Sequence, residues 1–162
     1  MAQGTSEIKF GTDGWRAVIS DTFTFKNVAI LAQAISEWVN NDLKSKDGQK
    51  KIAVGFDTRF LSGTYAEIVS CVFAANNIQV YLSDSPIPTP SLSYGVTRLH
   101  CDAGIMITAS HNPAKFNGVK IKTAQGGGAG TDITNKVEEY LYKTEVRKLD
   151  LDAAKSAKKI LM

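Results

Sequence analysis

Residues 108 to 113 read Thr108-Ala-Ser-His-Asn-Pro113, and Lys120 follows on the next apolar run. A serine at a strand's exit is held at the mouth of a crevice, with its hydroxyl presented by rigid elements. Pro113 fixes one backbone dihedral and biases Asn112 away from the helical region, so the turn is constrained. His111 and Asn112 place further donors beside the hydroxyl. Hydroxyl, imidazole, amide and ammonium groups gathered this way suit an anion, such as a phosphate esterified to Ser110. The plainer alternative is that Ser110 and Asn112 satisfy a tight turn while His111 lies on the surface. A triad hydrolase is disfavoured. Its nucleophile elbow needs glycine two residues either side of the serine, where this chain has Thr108 and Asn112.

The elements that must position this loop follow from two periodicities. Ala103-Gly-Ile-Met-Ile-Thr108 is a nearly continuous apolar run, which predicts a buried strand leading into the serine. Lys51–Asp57, Ile78–Ser83 and Gly118–Lys122 predict further strands. Val28, Leu31, Ala32, Ile35 and Val39 recur at spacings of three and four, predicting a helix capped by Thr24. Ser62 reads as the cap of a helix with the stripe Tyr65, Val69, Val72 and Phe73. Thr89 reads as the cap of another, with Pro90 in its first position and its end near Leu99-His100. Gly126–Gly130 lacks Gly-Lys-Ser/Thr and reads as a turn. A last helix follows it, capped by Thr131 or Asp132, with Ile133, Val137, Tyr140 and Leu141 on one face. Uninterrupted apolar strands separated by helices imply a sheet covered on both faces. The expected fold is α/β, a three-layer α/β/α sandwich around a mixed, mainly parallel sheet with an antiparallel edge strand. In such sheets the binding crevice lies outside the carboxyl ends of the strands.

Composition removes several other classes. The 162 residues carry a formal charge of +3, with 43% hydrophobic and 22% charged residues, close to a soluble globular average. One domain of this length buries roughly 70% of its unfolded surface, which excludes a disordered chain or a disulfide-stapled mini-protein. No window approaches the ~18–20 apolar residues of a membrane-spanning helix. The charge is small and the Lys and Arg residues are scattered without interleaved aromatics, which argues against nucleic acid. Cys71 and Cys101 form neither a C-x-x-C pair nor a zinc spacing, so two buried thiols in a reducing compartment are expected. Met1–Glu7 has no basic segment followed by an apolar one, and the expected location is the cytoplasm.

Several motifs in order resemble one family. They are Phe10-Gly-Thr-Asp-Gly-Trp-Arg16, Val54-Gly-Phe-Asp-Thr-Arg59 with Ser62, Pro86-Ile-Pro-Thr-Pro90, and Thr108–Pro113 followed by Asn117-Gly-Val-Lys-Ile-Lys122. Together they are similar to the α-D-phosphohexomutases: phosphoglucomutases, phosphomannomutases and phosphoglucosamine mutases. The resemblance covers about residues 8–142 and implies the first of that family's four domains. It sets residues 1–145 as that domain and 146–162 as the start of a linker to a second. It implies that Ser110 carries the transferable phosphate, flanked by His111 and by Asn112, which contacts substrate. Lys120 would sit against the phosphate, and Arg16 would match the active-site arginine of the opening loop. Ala17 follows Arg16 where many members have glycine. Asp57 and Arg59 read as an ion pair buttressing the crevice.

In the family a phosphoenzyme passes its phosphate to a hexose phosphate, and the bisphosphate turns round to return the other one. The resemblance also implies Mg²⁺, bridging an oxygen of the Ser110 phosphate to three aspartates of an Asp-Gly-Asp-Gly-Asp motif. That motif does not occur in this sequence, and Asp150 and Asp152 read as a solvated face. The expected partners are therefore hexose phosphates and other domains of the same chain. The 162 residues are expected to fold without turning over substrate alone. A non-catalytic module that binds sugar phosphates is the alternative.

Overall fold

The computed structural model describes residues 8–11, 13–45 and 48–162, so the Met1–Glu7 stretch read for a leader lies outside the described residues. Along the chain run β1 (Gly14–Val18), α1 (Phe25–Asp42), β2 (Lys51–Phe56), α2 (Ser62–Ala75), β3 (Gln79–Leu82) and α3 (Thr89–Arg98). Then follow β4 (Ala103–Ile107), β5 (Phe116–Thr123), α4 (Thr131–Tyr140), α5 (Leu151–Ser156) and β6 (Ile160–Leu161). The strands form one six-stranded sheet in the order β1-β5-β4-β2-β3-β6. β4, β2, β3 and β6 pair in parallel, while β5 runs antiparallel to both β4 and β1. The expected mixed α/β sandwich is what forms, with β1 as an edge strand.

Strand β4 shows why. All five of its residues are buried, as a strand covered on both faces requires. Ala103, Ile105 and Ile107 join the large core under α1 and α2, whereas Met106 joins a smaller cluster with Ala53, Leu92 and Val96 under α3. The layers are unequal. α1 and α2 pack together with α4 against α1 and α5 against α2, while α3 packs on β2, β4 and β5.

In α1 the Thr24 side chain accepts from the Asn27 amide at 3.2 Å, the capping role its position predicts. Where α1 begins, Trp15 stacks on Phe23 with ring centroids 4.8 Å apart, and Phe23 meets Tyr65 edge-on at 4.6 Å. The Tyr65 hydroxyl donates to the Phe23 carbonyl at 2.9 Å, so this buried polar tip is paired.

Some local expectations change. Ser62 is the first residue of α2 rather than its cap, which is Leu61 in a left-handed conformation with φ 60°. The Ser62 hydroxyl instead donates to the Asp57 carboxylate at 3.0 Å, a charged acceptor that outcompetes a backbone role. α3 starts one residue early, with Pro88 before Thr89, and α4 is preceded by Gly130 with no side-chain cap. Strand β1 carries no strand signal of its own, since Gly14 and Arg16 interrupt it. Pairing with β5 makes it a strand.

Segment 146–162, expected to lead away, folds back. Asp150 caps α5 by accepting from the Ala153 amide, and Ile160 of β6 pairs beside Val80 of β3.

Cys71 and Cys101 are both buried, and burial pushes the Cys101 thiol up to about 12. An unfolded thiol ionises near 9, so this contribution to stability is complete below that pH and is lost progressively as pH rises towards 12. Urea unfolding at pH 8 and pH 10.5 should therefore show a smaller loss of stability in Cys101→Ala than in the parent chain. A Cβ at Gly14 would collide with the Val119 carbonyl oxygen, whereas one at Gly95 in α3 meets nothing within 4 Å. Gly14→Ala should cost about 1–3 kcal/mol through overpacking. Gly95→Ala should gain about 0.5–1 kcal/mol, read from the same urea midpoints.

Candidate active site

The site is assembled at the carboxyl ends of β2 and β4. Asp57 directly follows β2, and both of its oxygens are engaged. Oδ1 accepts from the Arg59 amide at 3.0 Å and the Ser62 hydroxyl at 3.0 Å, while Oδ2 accepts from the Thr108 hydroxyl at 2.6 Å. The Thr108 oxygen in turn accepts from the Ser110 amide at 3.0 Å. A chain of hydrogen bonds thus runs from the end of one strand to the serine beyond the other.

Arg59 completes the frame. Its Nε lies 3.4 Å from Asp57, and its side chain is only 14% exposed. Nη2 donates to the carbonyls of Ser110 at 2.8 Å and Asn112 at 2.7 Å, and Nη1 to those of Pro113 and Phe116, each at 3.0 Å. One planar guanidinium therefore grips three carbonyls of the loop between β4 and β5 and that of Phe116, the first residue of β5. Buried Asn117 braces the other side, donating to the Ser62 hydroxyl at 2.9 Å and accepting from Gly118 N–H at 2.8 Å.

Against this frame Ser110 is exposed and left-handed, with φ 57°. That conformation costs a non-glycine residue about 1–2 kcal/mol, and here it turns the residue outward. The Ser110 hydroxyl has no hydrogen-bond partner among the described residues. His111 is exposed, and Asn112 is half-buried with its Oδ1 buried and unpartnered. Ser110 and Asn112 line a cavity of about 500 Å³ with Asp57, Thr58, Arg59, Phe60 and Ala114. A neighbouring cavity of about 270 Å³, lined by Asp57, Thr58, Pro86, Ile87 and Pro88, continues it towards the exit of β3. A somewhat larger cavity of about 600 Å³ surrounds His100 and Cys101 at the amino end of β4, away from this loop.

Arg16 and Lys120 form a second group on the adjoining strands. Arg16 stands opposite Gly118, whose carbonyl accepts from the Thr108 amide at 2.9 Å, and Lys120 stands opposite both Gly14 and Met106. Their neighbours Trp15 and Val119 belong to the main core, so both cations project from the opposite face of the sheet. Asp13 joins them, 3.2 Å from Arg16 Nη2 and 3.0 Å from Lys120 Nζ. Arg16 Nε is buried without a partner. Neither cation bonds to the serine loop. The structure therefore gathers Ser110, His111 and Asn112 in one loop, with Arg16 and Lys120 as a pair on the neighbouring edge. Asp13 escapes sequence reasoning although it lies within the Phe10–Arg16 motif, three residues before Arg16. Thr108 opens the Thr108–Pro113 motif, but the sequence gives no sign that its hydroxyl links Asp57 to the Ser110 amide.

Among the described residues no group of three or more His, Cys, Asp or Glu could hold a metal ion. Asp57, the carboxylate at the loop, is already committed to Thr108, Ser62 and Arg59.

The fold and site define an α/β/α domain that presents a hydroxyl on a braced corner at a strand exit. The family model described as phosphoglucomutase/phosphomannomutase, alpha/beta/alpha domain I, matches residues 7–148. The chain belongs to the phosphoglucomutase/phosphomannomutase family. It is 34% identical over 144 residues to a phosphoglucomutase of Staphylococcus saprophyticus, covering 85% of this chain and 25% of that protein. A phosphoglucomutase of Staphylococcus aureus (strain MRSA252) is 36% identical over 143 residues, covering 84% of this chain and 24% of its own length. Among solved structures, a protein described as a phosphomannomutase from Thermus thermophilus matches with a TM-score of 0.77 and 35% identity, over 93% of this chain and 36% of that one. The pp63/parafusin phosphoglucomutase of Paramecium, in its open form, matches with a TM-score of 0.79 and 25% identity, over 93% of this chain and 28% of its own. The chain thus spans about a quarter of the length of the curated relatives it matches.

Arg59→Ala should speed hydrogen exchange at the amides of residues 109–112 and 114–116 and cost about 2–3 kcal/mol, because a charged donor to several carbonyls is lost. Arg59→Lys should recover less than half of either effect, since an ammonium lacks the planar fork. Unchanged exchange in Arg59→Ala would contradict the clamp.

Proposed function

We propose that this chain is the phosphoserine-bearing part of a phosphohexomutase, which interconverts hexose 1-phosphates and hexose 6-phosphates. The observation that supports this most is Ser110: a braced loop whose carbonyls are gripped, with one hydroxyl left unpaired and turned outward. Structural serines in tight turns spend their hydroxyls on the turn. This one does not.

In the proposed reaction the phosphoryl group on Ser110 Oγ passes to the free hydroxyl of a hexose monophosphate. The Oγ–P bond breaks, the new P–O bond forms on the sugar, and the sugar's hydroxyl proton ends on Ser110 Oγ. The bisphosphate then turns round, and its other phosphoryl group returns to Ser110 with the proton moving back. A phosphoserine carries about −1.5 to −2 charges near neutral pH, so it needs cations and N–H donors nearby. His111 and Asn112 flank it, and Lys120 and Arg16 supply positive charge from the adjoining strands. In this reading Arg16 exchanges part of its contact with Asp13 for the substrate's phosphate, and Lys120 takes part in proton transfer and charge stabilisation. Positioning and charge stabilisation are the main requirements of a loose phosphoryl-transfer transition state. A Mg²⁺ ion on the seryl phosphate belongs to this proposal only with carboxylates from outside these 162 residues, so no step here runs through it.

Incubation with glucose 1,6-bisphosphate followed by intact-mass measurement tests the assignment. The expected result is a gain of one phosphoryl group, mapped to Ser110 and absent in Ser110→Ala. Binding of the bisphosphate with Ser110 unmodified would favour a sugar-phosphate-binding module instead. A steady-state mutase assay should find no substantial turnover by the 162 residues alone, and turnover at an enzyme's usual rate would overturn that part of the proposal.

A further inference from the structure

Phe60 leaves 68% of its surface exposed although it lies in one of the most tightly tied corners of the molecule. Its carbonyl accepts from the Asn117 side chain at 3.3 Å, and it directly follows Arg59, whose guanidinium is fully committed. Leu61 after it is left-handed with φ 60°, and Ser62 is bonded to Asp57. The backbone under the ring is therefore fixed on both sides. The ring lines the same cavity of about 500 Å³ as Ser110 and Asn112, a volume within the usual range of small-molecule sites. Scattered exposed apolar residues are ordinary on a protein surface. An aromatic ring on a rigid mount beside a nucleophilic hydroxyl is a different situation.

A second observation points the same way. The side-chain amide of Asn112 makes no hydrogen bond among the described residues, and its Oδ1 is buried and unpartnered, while its backbone N–H donates to the Ala109 carbonyl at 3.0 Å. The lining of the cavity thus includes an aromatic side chain and an uncommitted side-chain amide. A bare phosphate would accept from the amide N–H but make no use of the ring. A pyranose would use both, because it presents a face of polarised C–H bonds to the negative face of a ring and a rim of hydroxyls to the amide.

We propose that Phe60 is a sugar-positioning residue, which stacks on the C–H face of the hexose and holds its phosphate-bearing or hydroxyl-bearing end towards Ser110. The proposal rests on the reading of Ser110 as the phosphoryl carrier and adds what orients the sugar beside it.

The test measures calorimetric binding of glucose 1,6-bisphosphate and of inorganic phosphate in the Ser110→Ala background, where transfer does not interfere. Adding Phe60→Ala or Phe60→Leu should weaken the bisphosphate about tenfold, as truncation of an anchoring aromatic does. Phe60→Trp should hold affinity near that of the phenylalanine. Inorganic phosphate should bind with similar affinity throughout. The proposal is overturned by bisphosphate binding that ignores Phe60, by equal losses for inorganic phosphate, by leucine performing as well as tryptophan, or by no binding at all. Intact-mass measurement of the Ser110-containing chain keeps the two readings apart. Phe60-dependent binding without phosphate on Ser110 would sink the transfer reading alone, whereas phosphate gained regardless of the residue at 60 would sink this one alone.

Discussion

The carboxylate of Asp57 is where the two strand ends become one site. Thr108, Ser62 and Arg59 all donate to it, and each carries the tie onward. Thr108 passes it to the Ser110 amide, Ser62 passes it to Asn117, and Arg59 passes it to the loop carbonyls. A partly buried carboxylate needs its lone pairs satisfied, and here that need is met only when β2, β4, α2 and the serine loop all stand in register. The placement of Ser110 is thus a consequence of satisfying one charged group.

Topology determines how an anion at Ser110 would be stabilised. In many parallel α/β sheets a strand exit leads straight into a helix, whose N-terminus offers free N–H groups to a phosphate. Here β4 leads instead into a hairpin connection, and β5 returns antiparallel beside it. No helix begins at Ser110. The positive charge at this edge comes from side chains on the returning strand and its neighbour, Lys120 and Arg16, with Asp13 between them. On the proposed reading, the reversal of β5 leaves the charge for an anion at Ser110 to side chains instead of a helix terminus.

Much of this is legible in the sequence, and the remainder is hidden for identifiable reasons. β2, β3 and β4 read correctly because strands covered on both faces are nearly continuous apolar runs. α1 reads correctly because its stripe and its Thr24 cap agree. β1 escapes because a glycine and an arginine break its pattern, and only distant pairing with β5 makes it a strand. β6 escapes because two residues carry no periodicity. The residue types of the site are visible, but their connections are less so. Asp13 reaches Lys120 across 107 residues, and Ser62 is recognisable as a polar helix start while its actual acceptor, Asp57, lies five residues back. The grip of Arg59 leaves no mark on the loop's own sequence, since every residue has a carbonyl.

That grip separates shape from chemistry in the serine loop. Because the guanidinium holds only main-chain oxygens within the loop, its grip does not depend on which side chains stand at 111, 114 and 115. Substitution of a loop side chain therefore changes what surrounds the hydroxyl without removing a bond of this clamp. A change at position 59, by contrast, releases several loop carbonyls at once.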